Sequence, residues 1–479
     1  MSVRHRRRMA LGVPLIATVG LIVLASVAGW VHAGPAGAAA QPAAVQPAKG
    51  HFGTQTPYAP AQALASYQAA PQGFTPVFTE LVARHGSRAP SDAEAIMFLE
   101  QVIAYAMSAG QIQPPGAQLL AELKDLEATS RKVGFGNLSG LGRSEQAGIA
   151  TRLVQRLPQL FNGAAAGGRH VTVVNGGEQR DVDSGTVFAG TLKGAVPSLT
   201  LVVNPAVTDP DLLLFHESEA NADARTFART DPTLLAKLTE ITSSDESKEV
   251  AAGTLEKLFG KDFVADLNGG LYAFPDPDTG TFTVKRAVDV VESLYEVYAI
   301  EPDLSAEGTF HFERFLSDAA AAHFEYVDDA DSFYRKGPSF AESTITFTMA
   351  KVLEDDFFNA VTAFANGSNT DVARLRFTHA EEIIPLAALM RLPGSDQQLP
   401  ANETYTREDS NFRGAEVAPM SANIQWDIFR DASGTLLVRM LYNEKEAAFK
   451  ADCQPFAAGS HFYAFTELQR CYGYLPAGG

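Results

Sequence analysis

Two short segments hold residue types that could do chemistry on a phosphate. In Leu81-Val82-Ala83-Arg84-His85-Gly86-Ser87-Arg88, a histidine stands between two arginines at the end of an apolar, β-branched run. A neutral imidazole is a competent nucleophile, and guanidinium forks match phosphate oxygens two at a time. Gly86 permits a close backbone turn beside them. The second segment is Leu375-Arg376-Phe377-Thr378-His379-Ala380-Glu381-Glu382-Ile383-Ile384. It delivers His379 and, two residues on, Glu381 where a helix begins. An imidazolium binds a phosphate oxygen, and a protonated Glu381 can give its proton to a leaving alkoxide. Each segment also has a plainer reading: a basic loop with a surface histidine, and a first-turn acid that favours the helix dipole.

The surrounding pattern supplies the elements to position them. Residues 77–82 read as a strand running into Arg84. A helix is expected from Ser91, where Ser91 and Glu94 have capping-box spacing, and another over 142–160, with Ile149, Leu153, Leu157 and Leu160 at near-helical intervals. Residues 171–174 and 199–203 read as short buried strands around a helix at 182–192, a βαβ unit. From 211 to 339 the pattern is amphipathic-helical, and strand signals return at 375–377, 423–429 and 436–442. The expected fold is α/β: a mixed, mostly parallel central sheet flanked by helices, built from 74–210 and 340–479. A mostly α-helical cap, 211–339, is inserted into it.

Composition removes several classes. The 479 residues are 46% apolar and 20% charged, in the globular range. A net charge of −18 argues against nucleic acid, whose phosphates need a basic surface. Residues 1–33 read as a signal peptide or N-terminal anchor: Arg4, Arg6, Arg7 and Arg8 precede a long apolar run that ends at Val31-His32-Ala33. Losing them would bring the charge to −22, because they hold four arginines and no acids. A secreted or periplasmic, cell-surface location is expected, with membrane contact only if the segment stays uncleaved. Residues 34–73, rich in Ala, Pro, Gln and Gly, read as a flexible tether. In an oxidising compartment Cys453 and Cys471 would close one loop. No His-x-x-x-His or His-Glu-x-x-His spacing supports a metal site, and no cofactor is expected.

Arg84-His85-Gly86-Ser87-Arg88 and His379-Ala380-Glu381 together resemble the histidine acid phosphatase branch of the histidine phosphatase superfamily. His-Ala-Glu in place of that branch's usual His-Asp is similar to the multiple inositol polyphosphate phosphatases, or His-Ala-Glu phytases. Leu138–Gly142, Asp211–Phe215, Tyr334–Gly337, Ala418–Asn423 and Met440–Lys445 extend the resemblance over roughly residues 74–450. It implies a metal-free, two-step hydrolysis of a polyanionic inositol phosphate; a monomer is expected. His85 would be the nucleophile and Glu381 the proton donor. Arg84, Arg88, Arg180 and a protonated His379 would hold the phosphate. Arg180 is assigned because family members place an arginine just before the equivalent helix. Lys336 would reach distal phosphates, with a solvated lysine as the alternative. A broad phosphatase acting on sugar phosphates or bisphosphoglycerate, or an inactive surface-anchored binding module, are the competing readings.

Overall fold

Strand β1 (Thr75–Arg84) is buried continuously from Phe78 to its end. Period-2 alternation divides its side chains between two cores. Leu81 and Ala83 join Ile149, Leu153, Phe188, Leu375 and Phe377 on one face. Phe78 and Val82 join Trp426, Ile384, Leu294 and Phe324 on the other. A strand covered on both sides needs this near-unbroken burial. The structure, a computed structural model, describes residues 50–164, 167–275 and 283–475. The leader and residues 34–49 of the expected tether lie outside that range.

The remaining strands among the described residues are β2 (Val171–Asn175), β3 (Val207–Thr208), the antiparallel pair β4 (Phe274–Pro275) and β5 (Thr283–Val284), β6 (Ala373–Thr378), β7 (Asn423–Arg430), β8 (Leu436–Tyr442), β9 (Lys445–Ala447) and β10 (Phe462–Ala464). The main sheet runs β10-β8-β7-β1-β6-β2-β3, with β9 on β8. It is mixed, as expected. β1, β6, β2 and β3 pair parallel, while β7 to β10 add antiparallel strands. Arg84 is the register partner of Thr378, and Asn175 that of Phe377. Three parallel strands therefore end side by side. In α/β sheets, the crevice beyond such strand ends is where ligands bind.

Helices Gly140–Arg156 and Gln179–Ala195 pack against each other over one face of the sheet. The described residues of 211–339 are mostly helical and centre on Ala287–Ile300 and Asp318–Lys336. Helices Glu94–Ser108 and Pro114–Val133, which precede it in sequence, also join this layer: Leu99, Val102, Leu119 and Leu123 share a core with Val288 and Leu294.

Four local expectations differ from the structure. Residues 199–203 do not form a strand. Pro197 starts a 3-10 turn, Pro197–Leu201, which leaves Leu201 88% exposed, and the edge strand forms later as β3. Proline pre-sets a helical φ and lacks a ladder donor, so the turn wins. The helix expected over 142–160 is two, Gly140–Arg156 and Pro158–Ala164, because the residue before a proline is driven out of the helical region. The helix expected from Ser91 begins at Glu94, whose N–H donates to Asp92 Oδ1 at 2.9 Å.

The fourth difference bears on function. Residues 50–73 are not a free tether. Phe52, Thr54 and Tyr58 are buried, and the Tyr58 N–H donates to Glu145 Oε1 at 2.9 Å while its hydroxyl donates to Glu444 Oε2 at 2.9 Å. Low charge read as flexibility, but the aromatic side chains anchor the segment. At the other end of the chain, Cys453 and Cys471 form the expected disulfide.

Candidate active site

The loop after β1 carries Arg84, His85 and Arg88, and its main chain is fixed from both sides. The His85 N–H donates to Thr378 O at 2.8 Å, and the His85 carbonyl accepts from Ser421 at 3.0 Å. Gly86 and Gly142 let this loop lie directly on the first turn of helix Gly140–Arg156. A Cβ on Gly86 would stand 2.6 Å from the Gly142 Cα, and one on Gly142 only 2.1 Å from the Ser87 carbonyl oxygen. Beneath the loop, buried Glu145 accepts from the Ser87 N–H at 2.8 Å and the Ser87 hydroxyl at 2.8 Å.

His85 Nδ1 lies 2.9 Å from the carbonyl oxygen of Gly86. A carbonyl can only accept, so Nδ1 carries the ring proton and Nε2 keeps its lone pair. Burial, then Arg180, Arg84, His379 and Arg88, hold this imidazole well below the ordinary histidine range. The imidazole is therefore neutral at acidic as well as neutral pH.

Arg84, Arg88 and Arg180 crowd around it. Arg84 donates through Nη1 to the carbonyls of Thr54 and, at 2.7 Å, Ala418. Burial, then Arg180 and Arg84, pull Arg88 down to about 9. All three leave a buried Nε without a hydrogen-bond partner among the described residues. Three desolvated cations that oppose one another, each with an unused donor, suit an arriving dianion, which would satisfy the donors and relieve the repulsion.

His379 follows the end of β6, and its ring stands 5.4 Å from that of His85, edge to face. Its Nδ1 is 3.3 Å from Arg180 Nη2. A guanidinium has no acceptor, so Nδ1 accepts, and the ring proton is on Nε2, 3.0 Å from Asp181 Oδ2. Burial, and then Arg180, push its pKa down to about 3. The expectation of a protonated His379 is therefore corrected for the unliganded protein: the imidazole is neutral and offers an N–H donor.

Glu381 lies in the first turn of helix Ala380–Leu389 and faces Arg84 and Arg88 electrostatically. Lys336, the last residue of helix Asp318–Lys336, donates from Nζ to Glu381 Oε1 at 2.9 Å. Arg84, His85, Arg88, Arg180, Lys336, His379 and Glu381, the site residues named from sequence, thus come to one place.

Sequence reasoning missed the supports. Glu145 had a readable signal, since it falls on the same helical face as Ile149 and Leu153, where a lone acid needs buried partners. His216 pairs with buried Glu382, which also accepts from Thr378 Oγ1 at 3.0 Å. Its ring centroid lies 6.3 Å from that of His379. Asp303, fully buried, faces Arg88 and Arg84. Their partners lie far along the chain, so nothing local marked either residue.

The family model of the histidine phosphatase superfamily (branch 2) matches residues 78–443. Multiple inositol polyphosphate phosphatase 1 of Gallus gallus is 21% identical over 445 residues, covering 88% of this chain and 91% of the bird protein. The crystal structure of Bifidobacterium longum multiple inositol polyphosphate phosphatase in complex with inositol hexasulfate has a TM-score of 0.83 at 32% identity, covering 88% of this chain and 97% of that one. The phytase from D. castellii shares the fold, with a TM-score of 0.58 at 16% identity, covering 89% of this chain and 85% of that one. On these matches, which run through both strand-end loops described above, the chain belongs to branch 2 of the histidine phosphatase superfamily and, within it, to the multiple inositol polyphosphate phosphatase family.

Proposed function

We propose that this enzyme hydrolyses phosphomonoesters of inositol polyphosphates such as phytate through a phosphohistidine. The observation that carries the reading is the His85 tautomer: a lone pair on Nε2, held among three buried arginines. In the first step Nε2 attacks phosphorus, and the ester P–O bond breaks as Glu381 gives its proton to the departing ring oxygen. In the second step water attacks phosphorus, its proton goes to the Glu381 carboxylate, and Nε2 leaves. Arg84, Arg88 and Arg180 stay on the phosphoryl oxygens throughout, joined by the N–H of His379. Fixed cations in a dry site are the usual main source of stabilisation in phosphoryl transfer. The sequence of steps draws on protein groups alone, so activity should survive EDTA. The inositol polyphosphate assignment is supported by the B. longum relative, whose complex holds an inositol hexasulfate.

Assays with phytate and p-nitrophenyl phosphate, with phytate products resolved by chromatography, test the substrate. Comparable kcat/KM for both would favour a broad phosphatase instead. Glu381→Gln should slow phytate far more than p-nitrophenyl phosphate, because an alkoxide needs the proton and p-nitrophenolate does not. Equal losses would remove Glu381 as the acid. His85→Ala should abolish both activities.

We further read residues 1–33 as an export leader, a reading supported by the Cys453–Cys471 disulfide. A mature N-terminus at Gly34 in the extracytoplasmic fraction is the expected result.

A further inference from the structure

The Lys336–Glu381 pair joins two parts of the fold: the ammonium ends a helix of the helical layer, and the carboxylate opens the helix after β6. Their side chains are 24% and 30% exposed, so the pair is partly buried yet open to an arriving ligand. Burial works against the Lys336 charge, but Glu381, Asp331 and Asp328 outweigh it. Of these, Asp331 is engaged by Arg335 Nε at 2.6 Å. Glu381 in turn faces Lys336 from the helical layer and Arg84 and Arg88 from the β1 loop. It also faces His379, Asp181 and His216, with Glu382 beside it in sequence. An ammonium donating to Glu381 Oε1 at 2.9 Å favours the carboxylate form, which can act as a base but cannot donate a proton.

Resting on Glu381 as proton donor, we propose that Lys336 is a positioning and specificity-determining residue that makes this donor depend on the substrate. A phosphate dianion on a ring carbon beside the scissile one attracts the ammonium more strongly than a single carboxylate does. When such a phosphate takes over Lys336, with Arg84 and Arg88 engaged by the scissile phosphoryl group, Glu381 loses the ammonium that donates to it and binds a proton from solvent. It passes that proton to the leaving oxygen as the P–O bond breaks and the bond to His85 Nε2 forms. A simple monoester leaves the ion pair intact and meets a poorer acid. Lys336 then recognises polyphosphates in the rate of the chemical step as well as in binding.

The test compares wild type, Lys336→Met and Lys336→Arg on inositol hexakisphosphate, glycerol 2-phosphate and p-nitrophenyl phosphate across pH. In wild type, the basic limb of kcat for the hexakisphosphate should lie about one pH unit or more above that of kcat/KM, while for glycerol 2-phosphate the two limbs coincide. Lys336→Met should raise the glycerol 2-phosphate limb by about one pH unit and cut the kcat preference for hexakisphosphate about tenfold. Lys336→Arg should restore the wild-type limbs. A higher hexakisphosphate KM with every limb in place would make Lys336 a plain phosphate ligand and overturn the proposal. So would limbs that do not move at all, or an equal shift with p-nitrophenyl phosphate, whose leaving group needs no proton. Should Lys336→Met fail to melt cooperatively, the separation of the two wild-type limbs decides alone. Should wild type hydrolyse glycerol 2-phosphate but not the hexakisphosphate, the polyphosphate substrate is wrong, and the Lys336→Met limb on glycerol 2-phosphate still reads the coupling to Glu381.

Discussion

Arg180 Nη2 donates to Nδ1 of His379 at 3.3 Å, and this contact fixes both the tautomer and the charge of the second histidine. Burial, and next the Arg180 charge, keep the ring neutral until the pH approaches about 3. Arg180→Met should lower kcat/KM about 10²-fold through the lost phosphate donor. In the phosphate-free variant, the His379 ring followed by NMR should titrate at higher pH than in wild type. An unmoved titration would mean that Arg180 does not set the charge of His379.

The same depressed pKa has a consequence for stability. Between pH 6.5 and about 3 the unfolded chain takes up a proton on His379 that the folded chain refuses. Unfolding free energy should therefore fall as the pH drops through this window. Inorganic phosphate, whose negative charge favours the imidazolium, should recover part of the loss in thermal melts. Phosphate that protected equally at pH 7 and pH 4 would contradict this origin.

His216 shifts the opposite way. Burial opposes its charge, but Glu382 outweighs burial and raises its pKa to about 9. A raised pKa stabilises fully below about 6.5 and loses that contribution as the pH rises through about 9. The shift corresponds to about 3 kcal/mol. His216→Gln should thus destabilise strongly at pH 6 and much less at pH 10, measured by chemical denaturation. An equal cost at both values would show that packing, not charge, is what His216 contributes.

Gly142 predicts a kinetic effect without a large fold effect. A methyl group there would meet the Ser87 carbonyl at 2.1 Å, so Gly142→Ala must push back the loop that carries His85 and Arg88. A shift of about 1 Å in such a loop can lower turnover about 10²-fold. Loss of kcat with a far-UV spectrum like that of wild type is the expected outcome; full activity would show that the loop yields freely.

Tyr58 ties the segment after residue 50 to Glu145 and Glu444. Tyr58→Ala should remove about 3–5 kcal/mol of stability, as for other fully buried aromatic side chains. Removing residues 50–73 should lower kcat as well, because the Thr54 carbonyl holds Arg84. Unchanged melting in Tyr58→Ala would return the segment to the role of a tether.

The sequence by itself determined where the chemistry sits. A β-branched run ending in Arg84-His85-Gly86, and the sheet pattern Leu375-Arg376-Phe377 before Thr378-His379, place both histidines at strand ends, since strand periodicity and helix starts are local properties. Arg180, at the start of the helix after β2, followed from its resemblance to a family pattern. Tertiary structure decided protonation and pairing. His379 was expected as an imidazolium and is neutral, because Arg180, 199 residues away, lies on its Nδ1 in a dry site. Lys336 was expected on distal phosphates and pairs in the structure with Glu381. Residues 50–73 looked like a tether and instead hold Arg84 and Glu145. Charge and pairing depend on burial and on groups brought together through space, and local spacing encodes neither.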